Sequence, residues 1–302
     1  MTSWRYLNQR FWLLLRELHI TDCLSDKQFA RAHLLFWLGK FASIDNPLDF
    51  NEKLKWLMVH YRNPLMQTCA DKYAVRKYVE DTIGGQYLNG LIGVYNSAEE
   101  IDFDSLPNRF VLKANHGSAM NLVCNDKSLV DWPSVKKTVQ KWLRNDFSRY
   151  AREWQYQGIP RKILCEKFLE DNTAGYLRDY KLLTFHGDTK YIWVDHKDIN
   201  GRPLRSFYNP KWEFQREKSH LNPTGTGADV PRPDCLDEML MLAKKLAHDF
   251  PQCRVDFYVL DNRRIIFGEM TFSSAGGCNP FCPDAFCREL GDYIEYPNEY
   301  VV

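Results

Sequence analysis

The feature that most constrains the fold is the stretch 254–277, which reads RVDFYVLDNRRIIFGEMTFSSAGG. Apolar and polar residues alternate in its first part, an Asp-Asn pair is typical of a turn, and a second β-rich run follows. We therefore predict a β-hairpin with Asp256 in its first strand and Glu269 at the end of its second. Carboxylates on adjacent strands lie close enough to share one or two hard cations, although solvent-facing polar positions would produce the same pattern.

The residues beside the two acids favour an anion-binding site. Arg254 lies two residues before Asp256 and therefore on the same strand face, where a guanidinium suits a phosphoryl oxygen or a developing oxyanion. Small residues follow at 273–277, and a run that ends in glycine lets backbone N–H groups approach an anionic ligand. An ordinary turn is the alternative. The predicted substrate-binding residues of this run are Ser274, Gly276 and Gly277.

The overall composition is that of a globular chain with no dominant charge. Of its 302 residues, 44% are hydrophobic and 26% are charged, which allows a large core and two or three subdomains. The formal net charge of +1 gives no field that would select nucleic acid as a partner. No apolar run approaches the ~18 residues that a membrane-spanning helix needs.

The nine cysteines favour a reducing compartment. Their number is odd, their spacing is irregular and no signal peptide precedes them, so we expect free, mostly buried thiols in a cytoplasmic protein. Cys278, Cys282 and Cys287 form the one cluster in the sequence. A zinc or redox site there is the alternative, but the spacing differs from that of C-x2-C pairs and no histidine follows.

The N-terminal part carries many aromatic side chains among basic ones, at spacings that fit helix faces. We predict a helical region over 1–60 and a main domain over 61–302, with a phosphate-loop and hinge part near 105–195 and a metal hairpin near 235–290. Asn51 predicts a helix start. Two explanations account for the aromatic residues. They pack in a core, or they form an amphipathic surface that docks on a membrane or an assembly partner.

A lysine at the end of a strand begins the second candidate site. Residues 109–113 read RFVLK, a clear strand pattern, and a small polar loop with one glycine follows at 114–121. The ammonium group of Lys113 supplies a point charge and the loop supplies backbone N–H donors, which together suit a polyphosphate. A plain strand and loop with a structural histidine is the alternative. The predicted loop residues that bind phosphate are Asn115, His116, Gly117 and Ser118.

Residues 162–169 read KILCEKFL and predict a further strand, which ends in charged residues. In a nucleotide site Glu166 and Lys167 would contact the polar atoms of adenine, and the backbone near Leu169 would bind its edge. A sheet strand with one exposed ion pair explains the same residues.

A second hairpin is predicted from strands at 177–185 and 190–195, joined by a His-Gly-Asp turn. Asp179 and Lys181 share a strand face, so either Asp179 orients Lys181 toward a phosphate or the two form a surface pair. The remaining predicted elements are helices at 71–79, 131–157 and 235–250, a strand at 91–95 and a linker at 221–234.

Residues 196–212 form a polar insertion in this prediction, rich in basic and aromatic side chains. Arg202 and Arg205 can hold an anionic sugar by charge, while nearby aromatic rings stack on it. A solvated loop is the alternative.

The order of these motifs resembles that of the ATP-grasp ligases: strand lysine with small loop, acid-ended strand, Asp-x-Lys hairpin, helix, then Arg-x-Asp and Glu-x-Thr. More narrowly, the chain resembles the TupA-like branch, which is named for teichuronopeptide biosynthesis and associated with polysaccharides. The resemblance runs from about residue 47 to residue 296, through PLDFNEKLKWL, DKYAVR, LPNRFVLKANHGS, EKFL, RDYK and RVDFY. The chain departs from the family at Thr271, where Asn is usual, and at Ala119 and Met120, which replace paired glycines.

The resemblance implies an α+β ATP-grasp fold in which two α/β subdomains sandwich ATP behind the helical N-terminal region. Lys72 would join Lys113 in contacting phosphate, and Asp179 would also lie in the ATP site. Mg²⁺ would bind between Asp256 and Glu269, with Thr271 as a poorer third ligand. The catalytic residues implied are Arg254 and Lys181, which would stabilise an acyl phosphate and a tetrahedral intermediate.

The implied activity is that of a carboxylate–amine ligase. It would join a uronic acid of a surface polysaccharide, or of its precursor, to an amino acid as an amide, with release of ADP and phosphate. A glycosyltransferase whose acid pair holds a metal for a nucleotide sugar is one alternative, and a non-catalytic scaffold of the same pathway is another. We expect glycines restored at positions 119 and 120 to be tolerated.

Overall fold

The chain folds into helices and antiparallel sheets, seen in a computed structural model that describes residues 3–173, 175–198, 200–220, 225–226 and 230–302. The α-helices in this part of the chain are α1 Ser3–Glu17, α2 Asp26–Leu38, α3 Phe50–His60, α4 Pro64–Ala70, α5 Val75–Thr82, α6 Trp132–Arg144, α7 Ser148–Ala151, α8 Leu236–Ala247 and α9 Asp284–Asp292. The strands in the same ranges are β1 Leu91–Tyr95, β2 Phe110–Ala114, β3 Asn121–Cys124, β4 Ile163–Lys167, β5 Arg178–Phe185, β6 Asp188–Lys197, β7 Pro203–Tyr208, β8 Ser219–His220, β9 Gly225–Thr226, β10 Cys253–Leu260, β11 Arg264–Thr271 and β12 Phe281–Cys282. Much of the predicted linker at 221–234 lies outside the described residues.

Most strands belong to one of two sheets. The smaller sheet has the strand order β1-β4-β2-β3, and the larger has the order β11-β10-β5-β6-β7-β9, in which β7 and β9 pair in parallel. Strands β12 and β8 pair separately. The α+β class predicted from the sequence is confirmed.

Left-handed turn residues explain why the two predicted hairpins form. The two-residue turn between β5 and β6 consists of His186 and Gly187, whose φ angles of 49° and 84° are those of a type I′ turn. The turn between β10 and β11 begins with Asp261 and Asn262, whose φ angles are 50° and 61°. Gly, Asn and Asp tolerate this region better than other residues. Both predicted hairpins are confirmed.

The larger sheet packs against helices to form the main core. Val255 and Phe257 of β10 are fully buried in it. Helix α8 presents Leu236, Met239 and Leu246 to the same core, at the spacing that an amphipathic helix requires. Each such fully buried side chain contributes about 1.5–3 kcal/mol. The predicted helix at 235–250 is confirmed.

The smaller sheet has its own core against α6. Phe110, Leu112 and Ala114 of β2 are buried and face Val135 and Val139 of the helix. Alternation along the strand turns Lys113 to the opposite face of the sheet. The strand pattern therefore fixes the side on which this lysine lies.

The start of α3 differs from the prediction. Asp49, and not Asn51, caps the helix, because its carboxylate accepts a hydrogen bond from the backbone N–H of Glu52 at 3.1 Å. The Asn51 side chain instead donates to the carbonyl oxygen of Gly277 at 3.0 Å and accepts from the thiol of Cys287 at 3.0 Å. A tertiary contact, which local spacing does not reveal, sets the role of Asn51.

Three other predicted segments are corrected. The single helix at 131–157 is divided, because the chain leaves the helical region at Asn145 and only the short α7 follows before a further turn. The helix at 71–79 begins at residue 75. The segment 196–212 is not an insertion loop, since β7 forms within it as part of the larger sheet.

All nine cysteines have free thiols, and all except Cys23 and Cys282 are buried, as predicted. Cys278 packs in a small cluster with α2, whereas Cys287 packs in the main core. Within the described ranges, every helix is too short or too polar to span a bilayer.

Candidate active site

Strands β10 and β11 bring the two predicted metal ligands together, because Asp256 and Glu269 are register partners. A β-bulge follows at once: Phe257 pairs with Phe267, which leaves Gly268 without a partner. A Cβ atom at position 268 would lie 3.0 Å from the carbonyl oxygen of Asp256. Glycine therefore keeps the backbone of the bulge close to the carboxylate pair.

Arg254 connects the acid pair to the loop that follows it. Its guanidinium donates to both carboxylate oxygens of Asp256, from Nε at 2.6 Å and from Nη2 at 2.6 Å. Nη2 also lies 3.0 Å from Glu269 Oε1 and 3.0 Å from Thr271 Oγ1, while Nη1 donates to Ser274 Oγ at 2.8 Å. With 7% of its surface exposed, Arg254 is a buried cation whose partners fix its orientation.

Lys181 faces the same hairpin from the neighbouring strand β5, where it is the register partner of Asp256. Its ammonium group pairs with Asp179 and lies 3.0 Å from Asp195 Oδ2. The side chains of Lys181 and Asp179 are both largely buried, so the alternative of a solvent-exposed surface pair is excluded.

Lys72 and Lys113 extend the cationic surface across both sheets. Lys72 Nζ donates to the carbonyl oxygen of Gly117 at 2.6 Å and lies 3.4 Å from Glu269 Oε2, so it links the loop after β2 to β11. Lys113 Nζ donates to Glu166 Oε2 at 2.9 Å. A polyphosphate that enters here can offer its oxygens to both ammonium groups.

Burial and the surrounding cations shift the two acids in opposite directions. Burial raises the pKa of Asp256 above its ordinary range, against the opposing effects of Arg254 and Lys181. Burial acts in the same direction on Glu269, but neighbouring cations led by Lys72 outweigh it and lower the pKa of Glu269 to about 2. Glu269 is therefore the carboxylate of the pair that stays ionised throughout the physiological range.

A cleft of about 180 Å³ lies between the loop after β2 and the hairpin β10–β11. Residues from both sheets and from the turn before α5 line it, and they include most of the charged residues predicted for the site. The predicted residues on its wall are Lys72, Lys113, Gly117, Ser118, Asp179, Lys181, Asp256 and Glu269.

The loop after β11 has consecutive left-handed residues at Ala275, Gly276 and Gly277, with φ angles of 52°, 58° and 77°. A Cβ atom at position 276 would lie 2.6 Å from the Cβ of Ala151, so close packing as well as φ requires glycine there. The close contact shown here is with Ala151, and the predicted approach of this backbone to an anionic ligand stays a prediction.

A larger cavity of about 820 Å³ adjoins the cleft. Three residues, Ser118, Ala119 and Glu269, line both the cleft and the cavity. The cleft and the cavity therefore meet beside the acid pair. Ser274 and Gly276 lie on the wall of the larger cavity, as Arg254 and Thr271 do, whereas Gly277 is buried against α3.

Asn115 and His116 support the loop after β2 from behind. The amide of Asn115 donates to Asp71 Oδ1 at 2.8 Å and to the carbonyl oxygen of Pro160 at 2.9 Å. A ring nitrogen of His116 lies 3.1 Å from the carbonyl oxygen of Trp142, and burial lowers the pKa of this histidine. Both side chains are committed to the protein, so any phosphate contact here belongs to the backbone.

The predicted adenine contacts lie at the end of β4, outside the cleft defined above. The carboxylate of Glu166 is buried and accepts hydrogen bonds from Lys113 and, at 3.3 Å, from Asn89. Lys167 is exposed and Leu169 is half-buried. Their role in binding adenine stays a prediction.

The predicted sugar-binding arginines lie outside both spaces. Arg205 makes a two-point contact with Asp195, at 2.6 Å from Nε and 3.0 Å from Nη2, and Asp195 in turn pairs with Lys181. Arg202 is exposed at the start of β7. Arg205 therefore orients Asp195, and through it Lys181, while its predicted contact with a sugar stays a prediction.

Comparison with known proteins identifies the family. The family model described as TupA-like ATPgrasp matches residues 52–295. The chain belongs to this family. It is thus an ATP-grasp enzyme, as the order of the motifs indicated. No curated protein matches the chain.

Solved structures similar to this TupA-like protein include several ligases, all with low sequence identity. The D-alanine–D-alanine ligase of Helicobacter pylori is 17% identical, with a TM-score of 0.44 over 90% of this chain and 69% of that one. The D-alanine–D-alanine ligase of Bacillus anthracis is 16% identical, with a TM-score of 0.45 over 81% of this chain and 72% of that one. The L-amino acid ligase of Bacillus licheniformis is 12% identical, with a TM-score of 0.42 over 70% of this chain, which spans 44% of that one.

The donor set of the TupA-like protein fits a magnesium ion shared with a nucleotide. Asp256 and Glu269 offer hard oxygen ligands, and Asp179 Oδ1 is buried without a hydrogen-bond partner. In the ranges that the structure describes, no three His, Cys, Asp or Glu side chains form a complete metal site. Mg²⁺ commonly takes only one or two protein carboxylates and completes its shell with phosphates and water, so two facing acids suffice.

Glu153 is the main site residue that the sequence analysis missed. It is buried on the wall of the larger cavity and accepts a hydrogen bond from Ser273, which itself accepts one from Gln155 Nε2 at 2.7 Å. Burial raises the pKa of Glu153 to about 7, against the opposing effects of Ser273 and Lys55. A single acid in an aromatic-rich helical stretch carries no motif, so no signal in the sequence pointed to it.

Proposed function

We propose that this protein uses ATP and Mg²⁺ to join a carboxylate to an amine. The carboxylate would belong to a uronic acid of a surface polysaccharide or its precursor, and the amine to an amino acid, as the resemblance to the TupA-like branch suggests. The observation that carries the proposal is the position of Arg254. It bonds to both acids of the hairpin and to Ser274, where the small cleft meets the larger cavity.

The residues of the small cleft suit the phosphate tail of the nucleotide. Lys72 and Lys113 reach it from two different elements, and Lys181 faces Asp256 from the adjacent strand. Bound magnesium would neutralise charge on the phosphate oxygens, with Asp256 and Glu269 as its protein ligands. A phosphate tail held by these residues would lie next to Ser118, Ala119 and Glu269, which line both spaces.

The residues of the larger cavity suit the carboxylate. An oxygen of the carboxylate attacks the γ-phosphorus, and ADP leaves. The amine nitrogen then attacks the carbonyl carbon of the acyl phosphate, inorganic phosphate leaves, and the nitrogen loses a proton. Arg254 stabilises the negative charge that develops in both steps, since its guanidinium is fixed and buried beside the meeting point of the two spaces.

The experiment that tests the proposal traps the acyl phosphate with hydroxylamine. With ATP, Mg²⁺ and D-glucuronate, D-galacturonate or a short oligomer of either, the protein should release ADP and phosphate in step with a hydroxamate. The Arg254→Lys variant, which keeps the charge but loses the fixed fork of donors, should lose hydroxamate formation. A glycosyltransferase would instead release a nucleoside diphosphate from a nucleotide sugar, without ATP and without hydroxamate, and would overturn the proposal.

We further propose that the protein works in the cytoplasm with α1 lying on a membrane surface. The free thiols suit a reducing compartment. One face of α1 carries apolar side chains that are each about half exposed. They are Leu7, Phe11 and Leu14, followed by Leu18 directly after the helix. Arg10 on the same helix provides a charge that anionic lipid head groups attract.

A further inference from the structure

The larger cavity has one wall from a segment that precedes the region matched to the family. Arg16 of α1 and the turn containing His19 and Asp22 line this wall, and Arg144 and Tyr150 line the same cavity. The family match begins at residue 52. The wall therefore comes from a part of the chain outside the family match.

Direct contacts hold this wall against α7. Arg16 Nη1 donates to the carbonyl oxygen of Tyr150 at 3.1 Å, and its guanidinium carbon lies 4.0 Å from the centre of the Tyr150 ring. Arg149 Nη2 donates to Asp22 Oδ2 at 2.8 Å, and further on Arg152 Nη1 bonds to Asp26 at 2.8 Å. These contacts fix the separation between α1 and the rest of the cavity.

Aromatic rings form a continuous strip on the cavity wall. Tyr150 stacks on Phe147 with ring centres 6.1 Å apart and planes 10° apart, and Phe147 contacts Tyr156 edge-on at 5.0 Å. All three residues line the cavity. An aromatic face is a flat, apolar and weakly negative surface, which suits the C–H face of a sugar ring.

The cavity mouth carries both acids and arginines, and Glu17, Asp22 and Asp146 line it together with Arg16 and Arg144. Asp22 is already paired with Arg149 and with His19 at 3.0 Å, and Asp146 caps the backbone N–H of Ser148 at 3.2 Å. Arg144 is exposed at the end of α6. Arg16 uses one of its five donors on a carbonyl oxygen, so both arginines can bind carboxylates.

The volume of the cavity sets the size of its ligand. About 820 Å³ is near the upper end of the ~300–1,000 Å³ that small-molecule sites occupy. At roughly 30 Å³ for each water-sized group, the roughly 13 non-hydrogen atoms of a hexuronic acid would fill at most about half of this space. The cavity reaches from Arg254 to Arg16, so it accommodates a chain whose reacting end lies deep and whose other units extend outward.

We propose that α1 and the turn after it form the outer wall of the acceptor site, and that this site takes an acidic glycan of more than one sugar unit. Arg16 and Arg144 bind carboxylates of the outer units, and the aromatic strip forms the apolar part of the wall beside the sugar rings. The reacting carboxylate lies beside Arg254. The proposal rests on the ligase function above and identifies its carboxylate substrate as an oligomer and not a monomeric precursor.

Fluorescence anisotropy with a labelled tetragalacturonate, measured on the full chain without ATP, tests this proposal. We expect Arg16→Gln and Arg144→Gln each to weaken binding by about tenfold, because each loses a two-point contact with a carboxylate. Arg10→Gln is the matched control, since Arg10 lies on the same helix but does not line the cavity. D-Galacturonate should bind at least tenfold more weakly than the tetramer, and labelled maltotetraose should not bind.

Equal binding by all three variants, equal binding of the neutral sugar, or no binding of the acidic tetramer would overturn the proposal. Arg144→Gln keeps the test decisive if Arg16→Gln disturbs the packing of α1. Failure of the ligase function gives a different result, because tetramer binding is read without ATP. Loss of hydroxamate formation with intact, arginine-dependent tetramer binding would refute the ligase chemistry and leave the acidic glycan site standing.

Discussion

Asp256 and Glu269 face each other across one hairpin, yet their surroundings give them different properties. Burial dominates at Asp256 and raises its pKa, while the cations around Glu269 hold its pKa at about 2. A divalent cation would favour the ionised form of both. If the pair holds a metal ion as proposed, metal binding would therefore be coupled to deprotonation of Asp256.

Replacing either acid with its amide should remove ATP turnover. We expect Asp256→Asn and Glu269→Gln to lose at least tenfold in the rate of ADP formation, about 1.4 kcal/mol, because each removes a carboxylate from the metal position with little change in size. Asp81→Asn, on the exposed surface of α5, serves as the control. Retention of more than about a tenth of the activity in both variants would refute the metal assignment.

Glu153 should make stability depend on pH. Its folded pKa of about 7 exceeds its ordinary value of 4.5, so the folded state holds a proton more tightly and loses stability as pH rises through this interval. In Glu153→Gln this loss is absent. Between pH 5 and pH 8, the free energy of unfolding of the variant should therefore rise by up to about 3 kcal/mol relative to that of the unmodified protein.

Denaturant unfolding of both proteins at pH 5 and pH 8 measures this difference. Glu99→Gln, an exposed acid on a loop, is the control and should show no comparable change. The difference in free energy of unfolding between Glu153→Gln and the unmodified protein should change with pH. If it is the same at pH 5 and pH 8, Glu153 is not buried in a protonated state.

The loop between β2 and β3 contains one residue with a strained backbone, Ala119, and one with a buried side chain, Met120. Ala119 has a left-handed φ of 58°, which costs an L-residue about 1–2 kcal/mol. Met120 is 8% exposed and packs in the core of the smaller sheet. The sequence comparison treats the two positions alike, but the structure gives them different constraints.

Glycine should therefore be tolerated at position 119 and not at position 120. Ala119→Gly relieves the strain but adds freedom to the unfolded chain, so we expect a change between neutral and about 1 kcal/mol stabilising. Met120→Gly should cost about 2–5 kcal/mol, because it empties a buried site. Thermal unfolding measures both, and equal melting temperatures of the two variants would contradict the packing of Met120.

At the scale of the whole molecule, the site depends on elements that are far apart in the chain. Lys72 links the loop of the smaller sheet to β11 of the larger one, and Arg254 links β10 to the loop after β11. Helices from the N-terminal part hold that loop from the other side, since Asn51 bonds to Gly277. The two sheets and the first helices thus complete one site together.

The apolar face of α1 predicts binding to lipid. The intact protein should co-sediment with vesicles that contain anionic lipid, and Phe11→Glu should reduce the bound fraction several-fold, because it places a charge in the apolar face. Phe41→Glu is a matched control, since Phe41 is 89% exposed but lies outside α1. Equal binding of both variants, or binding of neither the variants nor the intact protein, would refute membrane docking.

The sequence by itself determined the elements whose signals are local. Alternating apolar residues and left-handed turn residues specify the hairpins β5–β6 and β10–β11, and the spacing of apolar residues specifies α8. Adjacent strands follow from hairpins, so the pairing of Asp256 with Glu269 was predictable as well. The order of the motifs was sufficient to indicate the family.

Only the tertiary structure decided which residues share a site. The sequence suggested that Asn51 begins a helix, but its side chain bonds to the carbonyl oxygen of Gly277 instead. Only the fold shows that Arg205 holds Asp195, a residue of the neighbouring strand. Glu153 acquires its pKa because helices and a loop from distant parts of the chain exclude water from it. Burial depends on how distant elements pack, so the burial of a titratable group cannot be predicted from its neighbours in the sequence.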